Sequence, residues 1–246
     1  MPLTTHNPKQ NDILAALPPA DFSRLLRRLE PVELALGQAV HESRSRQDYV
    51  YFPTTSLITL LQAMENGRTA GMALVGNEGM VGIALSMGGE TTPSRAVVQR
   101  AGHGYRLRAS VLQTEFGNGA TFRHLLLRFA QALLTQMAQT ALCSQRHSLA
   151  QQLCRWLLLS LDRLPSNELE MTQEMFANLL GAPCAGVTDA AAGLQAQGLI
   201  EYSGGKCTVL DRSRLEARVC PCYALVKAES DRLLVLKSHW LEAAVA

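Results

Sequence analysis

The sequence predicts an α+β fold in three parts: a double-stranded β-helix, or jelly roll, then one long helix, then a compact helical unit closed by a small hairpin. Three observations predict it. Between Pro31 and Ala109, short β-favouring runs alternate with turn residues. From Phe122 to Leu142 no Gly or Pro interrupts an apolar stripe. Beyond Thr172, two short amphipathic stretches flank Gly181 and precede a Gly-Gly turn.

The 246 residues allow one large domain or two modest ones. Apolar residues make up 47%, enough for a sizeable core, whereas charged residues make up only 18%. That low share predicts apolar surface buried between subunits. A net charge of +2 gives no sign of a strongly basic, nucleic-acid-binding domain. Met1 to Gln10 is polar and lacks a signal-peptide core, and apolar runs such as Trp156 to Leu159 fall far short of the roughly 20 residues of a membrane span. The expected location is the cytoplasm, without membrane attachment. Six cysteines, at 143, 154, 184, 207, 220 and 222, are expected as reduced thiols rather than a disulfide framework.

Each part is supported in turn. Asn11 to Leu29 reads as helical, with Leu14, Leu17, Phe22, Leu25, Leu26 and Leu29 at helical spacing. The expected strands are Tyr49–Phe52, Leu57–Leu61, Thr69–Val75, Ala96–Gln99 and Tyr105–Arg108, with Gly76, Gly79, Gly88, Gly89 and Gly102 among the turns between them. Phe122, Leu125, Leu126, Phe129, Leu133 and Met137 form the stripe of the long helix, spaced close to a coiled-coil seam. The stripe predicts a dimer with a second copy of the chain; the plainer alternative is that it packs on its own roll. A further helix covers Leu149 to Leu164 and ends at Pro165.

Thr172 is placed to cap the next helix, whose apolar face is Met175, Phe176, Leu179 and Leu180. Gly181 supplies the turn, and a second helix from Cys184 to Gln197 turns Val187, Ala191 and Leu194 inward before Gly198 closes it. Ile200–Tyr202 and Cys207–Leu210 flank Gly204-Gly205 as a two-stranded wing, and a final helical region is expected from Leu215 to about Leu241. The parts divide as 11–120, 121–145 and 146–246.

This order of parts resembles the Crp/Fnr family of bacterial regulators. The resemblance rests on Val50-Tyr-Phe-Pro, Gly76-Asn-Glu-Gly-Met-Val-Gly82, Arg155-Trp-Leu-Leu with Asp162-Arg163, Leu179-Leu-Gly181, Gly186-Val-Thr188, Gly198-Leu-Ile200 and Thr208-Val-Leu-Asp-Arg212. It implies a sensor roll for a small-molecule effector, a dimerisation helix and a DNA-binding winged helix-turn-helix. The partners it implies are duplex DNA, a second copy of the chain and RNA polymerase. Its base-reading positions correspond to Pro183, Cys184, Ala185 and Asp189, and its effector pocket to Gly82, Ile83, Ser94 and Arg95. Beside these, the residues themselves offer Thr172 and Gln173 at a helix N-terminus for a phosphate, Thr188 for a base edge and Lys206 at the wing for the DNA backbone.

Two departures bear on chemistry. Members that bind cyclic nucleotides carry a Glu after the Gly matching Gly82 and an Arg-Ser or Arg-Thr pair further on; here those places hold Ile83 and Ser94-Arg95. Ile83 cannot accept a ribose hydrogen bond, so the expected effector is not cAMP. The second departure is the DNA-facing helix, where Ala182-Pro-Cys-Ala-Gly-Val-Thr-Asp189 has no basic residue. From Ser166 to Arg212, six acids stand against Lys206 and Arg212. DNA affinity draws heavily on neutralised phosphates, so a second reading stays open, in which the acidic winged helix serves protein interaction.

No residue pattern marks a catalytic site, and the chain is not expected to be an enzyme. The absence of any Cys before Cys143 excludes an N-terminal iron–sulfur cluster. His41, His103 and His124 leave a haem-based sensor open as an alternative, although an isolated His is more often a surface residue. Cys220-Pro-Cys222 supplies two ligands, but with Cys207 and His239 as the nearest further candidates no metal site is expected, and the pair is read as thiols packing on the wing.

Overall fold

The computed structural model describes residues 7–65 and 68–234. Two short helices, α1 (Asp12–Ala15) and α2 (Pro19–Leu26), lead into the roll. Its strands are β1 (Glu30–Leu34), β2 (Ala39–His41), β3 (Tyr49–Pro53), β4 (Leu57–Ala63), β5 (Thr69–Val75), β6 (Ser94–Arg100) and β7 (Gly102–Arg108). They form two antiparallel sheets, ordered β1-β7-β3 and β2-β6-β4-β5. The double-sheet jelly roll is therefore present, with its apolar residues between the sheets: Leu34, Val50, Phe52, Ile58, Val98 and Leu107 share one core. β1 and β2 escape a periodicity reading because they are short: β1 alternates only over Val32-Glu33-Leu34 after Glu30-Pro31, at a sheet edge where Pro is tolerated, and β2 has three residues of like burial.

After α3 (Ala109–Asn118) comes the long helix α4 (Ala120–Arg146). Its predicted stripe exists, but it faces the chain's own roll. Phe122, Leu125, Leu126, Phe129 and Leu133 are buried in the roll core, with Met137 packed beside them. This corrects the assignment of that stripe to the contact with a second copy. The physical reason is that α4 carries two faces, and the roll takes the one with more apolar area. Burying a Phe or Leu side chain contributes about 1.5–3 kcal/mol, so the larger residues go to the nearest core. The opposite face exposes His124, Leu127, Gln131, Leu134, Ala138 and Ala141 at alternating spacings of three and four residues. Leu127 is 49% and Leu134 63% exposed.

Helix α5 (Leu149–Leu161) begins with a capping box between Ser148 and Gln151. Then follow β8 (Glu168–Glu170), α6 (Gln173–Leu180), α7 (Cys184–Ala196), β9 (Ile200–Ser203) and β10 (Lys206–Val209). The small sheet β8-β10-β9 is the wing plus one strand too short to read from sequence. The final helical region comprises two helices, α8 (Arg212–Arg218) and α9 (Cys222–Leu234), separated at Pro221, which cannot continue a helix. Its expected stretch beyond Leu234 lies outside the described residues. No helix among the described residues is long and apolar enough to cross a membrane.

The second core joins the parts. Leu57 and Leu74 of the roll pack with Trp156, Leu157, Phe176, Leu179, Val187 and Leu215 of the C-terminal unit. Gly71 in β5 is what permits the approach: a Cβ there would sit 2.6 Å from Leu179 Cδ1 and 2.9 Å from Leu179 O.

Gly79→Ala should lower stability by about 1–3 kcal/mol, because its Cβ would overlap the Phe129 ring. Gly117→Ala in α3 meets open space and should raise stability by about 0.5–1 kcal/mol. Chemical denaturation of both variants checks the opposite signs.

Candidate nucleic-acid interface

The helix-turn-helix is built by local rules. The Thr172 hydroxyl accepts from the backbone N–H of Met175 at 3.1 Å and caps α6. Gly181 follows α6 with φ +62, the left-handed backbone that ends a helix at a Gly. Phe176, Leu179 and Leu180 on α6 and Val187, Ala191 and Leu194 on α7 are buried. The outward residues of α7 are mostly small: Cys184, Ala185, Asp189, Ala192, Gly193 and Ala196 are exposed, together with the longer Gln195, and none is basic. Pro183 precedes α7, and no side chain caps that N-terminus, so its first N–H groups point outward without a side-chain partner.

Each predicted DNA-facing residue has a definite place. Thr172, Cys184, Ala185, Asp189 and Lys206 are exposed, and Gln173 and Thr188 are half-buried. The structure brings the last two together: Thr188 Oγ1 lies 2.8 Å from Gln173 Oε1 and 2.9 Å from the Cys184 carbonyl oxygen, with its single proton to share between them. Lys206 opens β10 beyond the turn at Gly204 and Gly205 and pairs across the ladder with Ser203 on one side and Glu170 on the other. Tyr202 on the wing donates to the Met171 carbonyl at 2.6 Å, fixing the hairpin to the start of α6.

The electrostatics are acidic at close range. Glu168, Glu170, Asp189 and Glu201 are exposed. Arg212 is engaged by Asp162, by Glu216 and by the Tyr223 hydroxyl. A groove of about 530 Å³ beside α7 offers one cation that sequence reading overlooked: Arg218 lines it together with Ser148, Gln151, Asp189 and Gly193. Arg218 comes from α8, beyond the helix-turn-helix itself, and only the folded packing of α5, α7 and α8 reveals it.

The four expected effector residues do not form one cluster of free groups. Gly82 has φ +100 and begins the 3-10 turn Ile83–Met87, where Ile83 packs on the roll core. Ser94 and Arg95 open β6, between β2 and β4. The Ser94 hydroxyl donates to Thr92 Oγ1 at 3.2 Å, and Arg95 Nε lies 3.1 Å from Glu42 Oε2, an ion pair by distance without the alignment of a hydrogen bond. The arginine that would neutralise a phosphate is thus already paired with a carboxylate.

A different cluster appears where none was expected. Cys143 sits in the last turn of α4, His147 caps that helix, Cys220 lies between α8 and α9, and Cys222, just past Pro221, opens α9. Their ligand atoms all lie within 4.8 Å of one another. Cys143 Sγ is 3.4 Å from Cys220 Sγ, and Cys222 Sγ is 3.7 Å from His147 Nδ1. The hydrogen bond between the first two thiols holds Cys220 below and Cys143 above the ordinary thiol range. This corrects the sequence reading on two counts. Cys220 and Cys222 do not pack on the wing, and the four groups form a candidate ligand set where no metal site was expected. Cys207 is buried in the winged-helix core instead, and His239 lies outside the described residues. The usable signal was Cys143-x3-His147, a pair on one helix face, which is uninformative until the fold joins it to residues 77 positions away.

Residues 151–218 match the Crp-like helix-turn-helix domain. The chain is similar to solved structures with the same architecture. One is assigned to the crp/fnr family of transcriptional regulators from Eubacterium rectale (19% identity, 86% of this chain and 97% of that one, TM-score 0.66). Another is FixK2 from Bradyrhizobium japonicum (17% identity, 78% and 98%, TM-score 0.66). A third is the c-di-GMP responsive global regulator CLP of Xanthomonas campestris (14% identity, 78% and 99%, TM-score 0.63). At such identities the likeness establishes the fold: a β-rich domain of cyclic-nucleotide-binding type, a long helix and a C-terminal helix-turn-helix. No curated protein matches the chain in sequence.

Of the six cysteines only Cys184 is exposed, while the other five are buried. Brief N-ethylmaleimide treatment of the folded protein should therefore give one adduct, mapped by mass spectrometry to Cys184. Early modification of Cys143, Cys207 or Cys220 would contradict the burial described.

Proposed function

We propose that the chain is a homodimeric, DNA-binding transcription regulator of Crp/Fnr type, with a small-molecule effector other than cAMP. The observation that carries the reading is the helix-turn-helix with its wing, in which α7 is held from behind by Val187, Ala191 and Leu194 and presents its outer face to solvent. Such a helix enters the major groove, and its first residues meet base edges.

What it offers the groove is unusual in charge but not in chemistry. The uncapped N–H groups at the start of α7 suit a phosphate oxygen, assisted by the helix dipole. Cys184, Ala185 and Ala192 permit close approach and apolar contact with thymine methyls. Asp189 accepts from a cytosine amino group. Lys206 at the wing and Arg218 beside the groove supply backbone contacts. With so few cations, the slope of affinity against salt is expected to be shallow, corresponding to only a few phosphates per protomer.

The exposed seam of α4 supports the dimer. Leu127, Leu134 and Ala141 recur every seven residues, and Gln131 and Ala138 fall between them. That is the spacing of a coiled-coil seam, with Leu at two positions, small Ala at two and one polar Gln. A two-fold dimer places two copies of α7 about 34–36 Å apart, one turn of duplex. The Arg95–Glu42 pair and Ile83 are both poor partners for a cyclic nucleotide, which supports an effector of other chemistry.

Selection from random-sequence duplexes tests the reading. The expected result is a two-fold symmetric site, with Asp189→Asn altering the preferred base at one position per half-site and DNA shielding Cys184 from maleimide. Leu134→Glu should yield a monomer that loses the selected site. If protein purified from cells, with any co-purifying effector retained, selects no sequence, DNA recognition fails. The acidic face of α7 then favours a protein partner.

A further inference from the structure

We propose that Cys143, His147, Cys220 and Cys222 bind a structural zinc ion that ties the end of α4 to the junction of α8 and α9.

The geometry fits a single tetrahedral ion. Zinc–sulfur bonds of about 2.3 Å and zinc–nitrogen bonds of about 2.0 Å place neighbouring ligand atoms about 3.5–3.8 Å apart. The two contacts across the cluster are 3.4 and 3.7 Å, and no pair of ligand atoms exceeds 4.8 Å. That spacing encloses one ion and is too tight for a cluster of several irons. Three thiols and one imidazole are a closed, soft donor set of the structural zinc type, with no position left for water or substrate. All three cysteines are at most 4% exposed, so the thiolates would be shielded from oxidants and competing metals.

The fold builds the site from both sides. Cys143 and His147 stand one turn apart at the end of α4, so their side chains share a face. Pro221 breaks the chain between α8 and α9, which lets Cys220 and Cys222 both turn toward that face.

Arg155 is the second, independent observation. It lies on α5, is 0% exposed, and donates to Thr140 Oγ1 at 2.6 Å. Its Nε and Nη1 find no hydrogen-bond partner. The groups whose charge would favour the guanidinium are the thiols of Cys143, Cys220 and Cys222. A buried cation with no counter-charge is strongly destabilising. Three thiolates around one Zn²⁺ carry a net charge of −1, which balances one guanidinium through space. Zinc entry displaces the thiol protons to solvent and involves no redox step.

Elemental analysis and native mass spectrometry of the full chain, purified without chelator, should find about one zinc per protomer. Cys143→Ser and Cys222→Ser should lose it, and Cys184→Ser should keep it. Because the first two variants could unfold, the wild-type protein is also stripped by chelator in the presence of reductant and refilled with cobalt(II). Thiolate-to-cobalt charge-transfer bands and tetrahedral d–d bands should then appear, and zinc should compete them away. Removing zinc should lower the melting temperature, and restoring it should recover the loss in a concentration-dependent way. Folded protein that holds no zinc and gives no tetrahedral cobalt spectrum would overturn the proposal. A Cys143–Cys220 disulfide in metal-free protein would also overturn it, as would iron with inorganic sulfide.

Discussion

The arrangement of the molecule depends on one buried ion pair. Arg163, just past the end of α5, places Nε 2.6 Å from Glu78 Oε1, with side chains only 8% and 16% exposed. The rest of the guanidinium is also satisfied: Nη1 donates to the Leu159 carbonyl at 2.7 Å and Nη2 to Gln136 Oε1 at 3.2 Å. The other Glu78 oxygen accepts the Gly76 N–H. Roll, long helix and winged unit thus meet at one charge network. Removing one partner from such a pair costs about 3–5 kcal/mol, because the other charge is left buried alone.

The loop that carries Glu78 explains several glycines that the sequence presents only as turn residues. Gly76 lies against the Arg163 stem, Gly79 against the Phe129 ring and Gly82 against Val50, each where a Cβ would crowd its neighbour. The Asn11 amide donates to the Gly79 and Pro53 carbonyls, pinning the same loop from the N-terminal side. One seven-residue loop, residues 76–82, therefore touches α4, the Arg163 stem and the roll at once. Gly71 brings α6 against β5 beside it. Helix α7 rests on this stack and on α5: β5 supports α6, while α6 and α5 together support α7.

What is legible in the sequence follows the range of the interactions involved. Strands β3 to β7, the long helix, the turn at Gly181 and the wing all carry local periodicity or local turn chemistry, and they stand where expected. The faces are harder. The α4 stripe is plainly apolar in sequence, yet which body it covers depends on the roll being nearer than a second chain. The final helical region divides at Pro221, a boundary that the reading of the region as a whole leaves unplaced. The cysteine cluster joins residues 77 positions apart in sequence, and spacing alone cannot pair them. The charge deficit of α7 is legible, whereas Arg218 at its flank is not.

The most direct measurement is a double-mutant cycle on Glu78→Gln and Arg163→Gln, read by reversible denaturant unfolding. If the pair organises the junction, each single variant should lose about 3 kcal/mol, and the double variant should lose less than the sum by at least about 1.5 kcal/mol. Losses that add within about 0.5 kcal/mol would contradict it, since additivity is the signature of groups that do not interact.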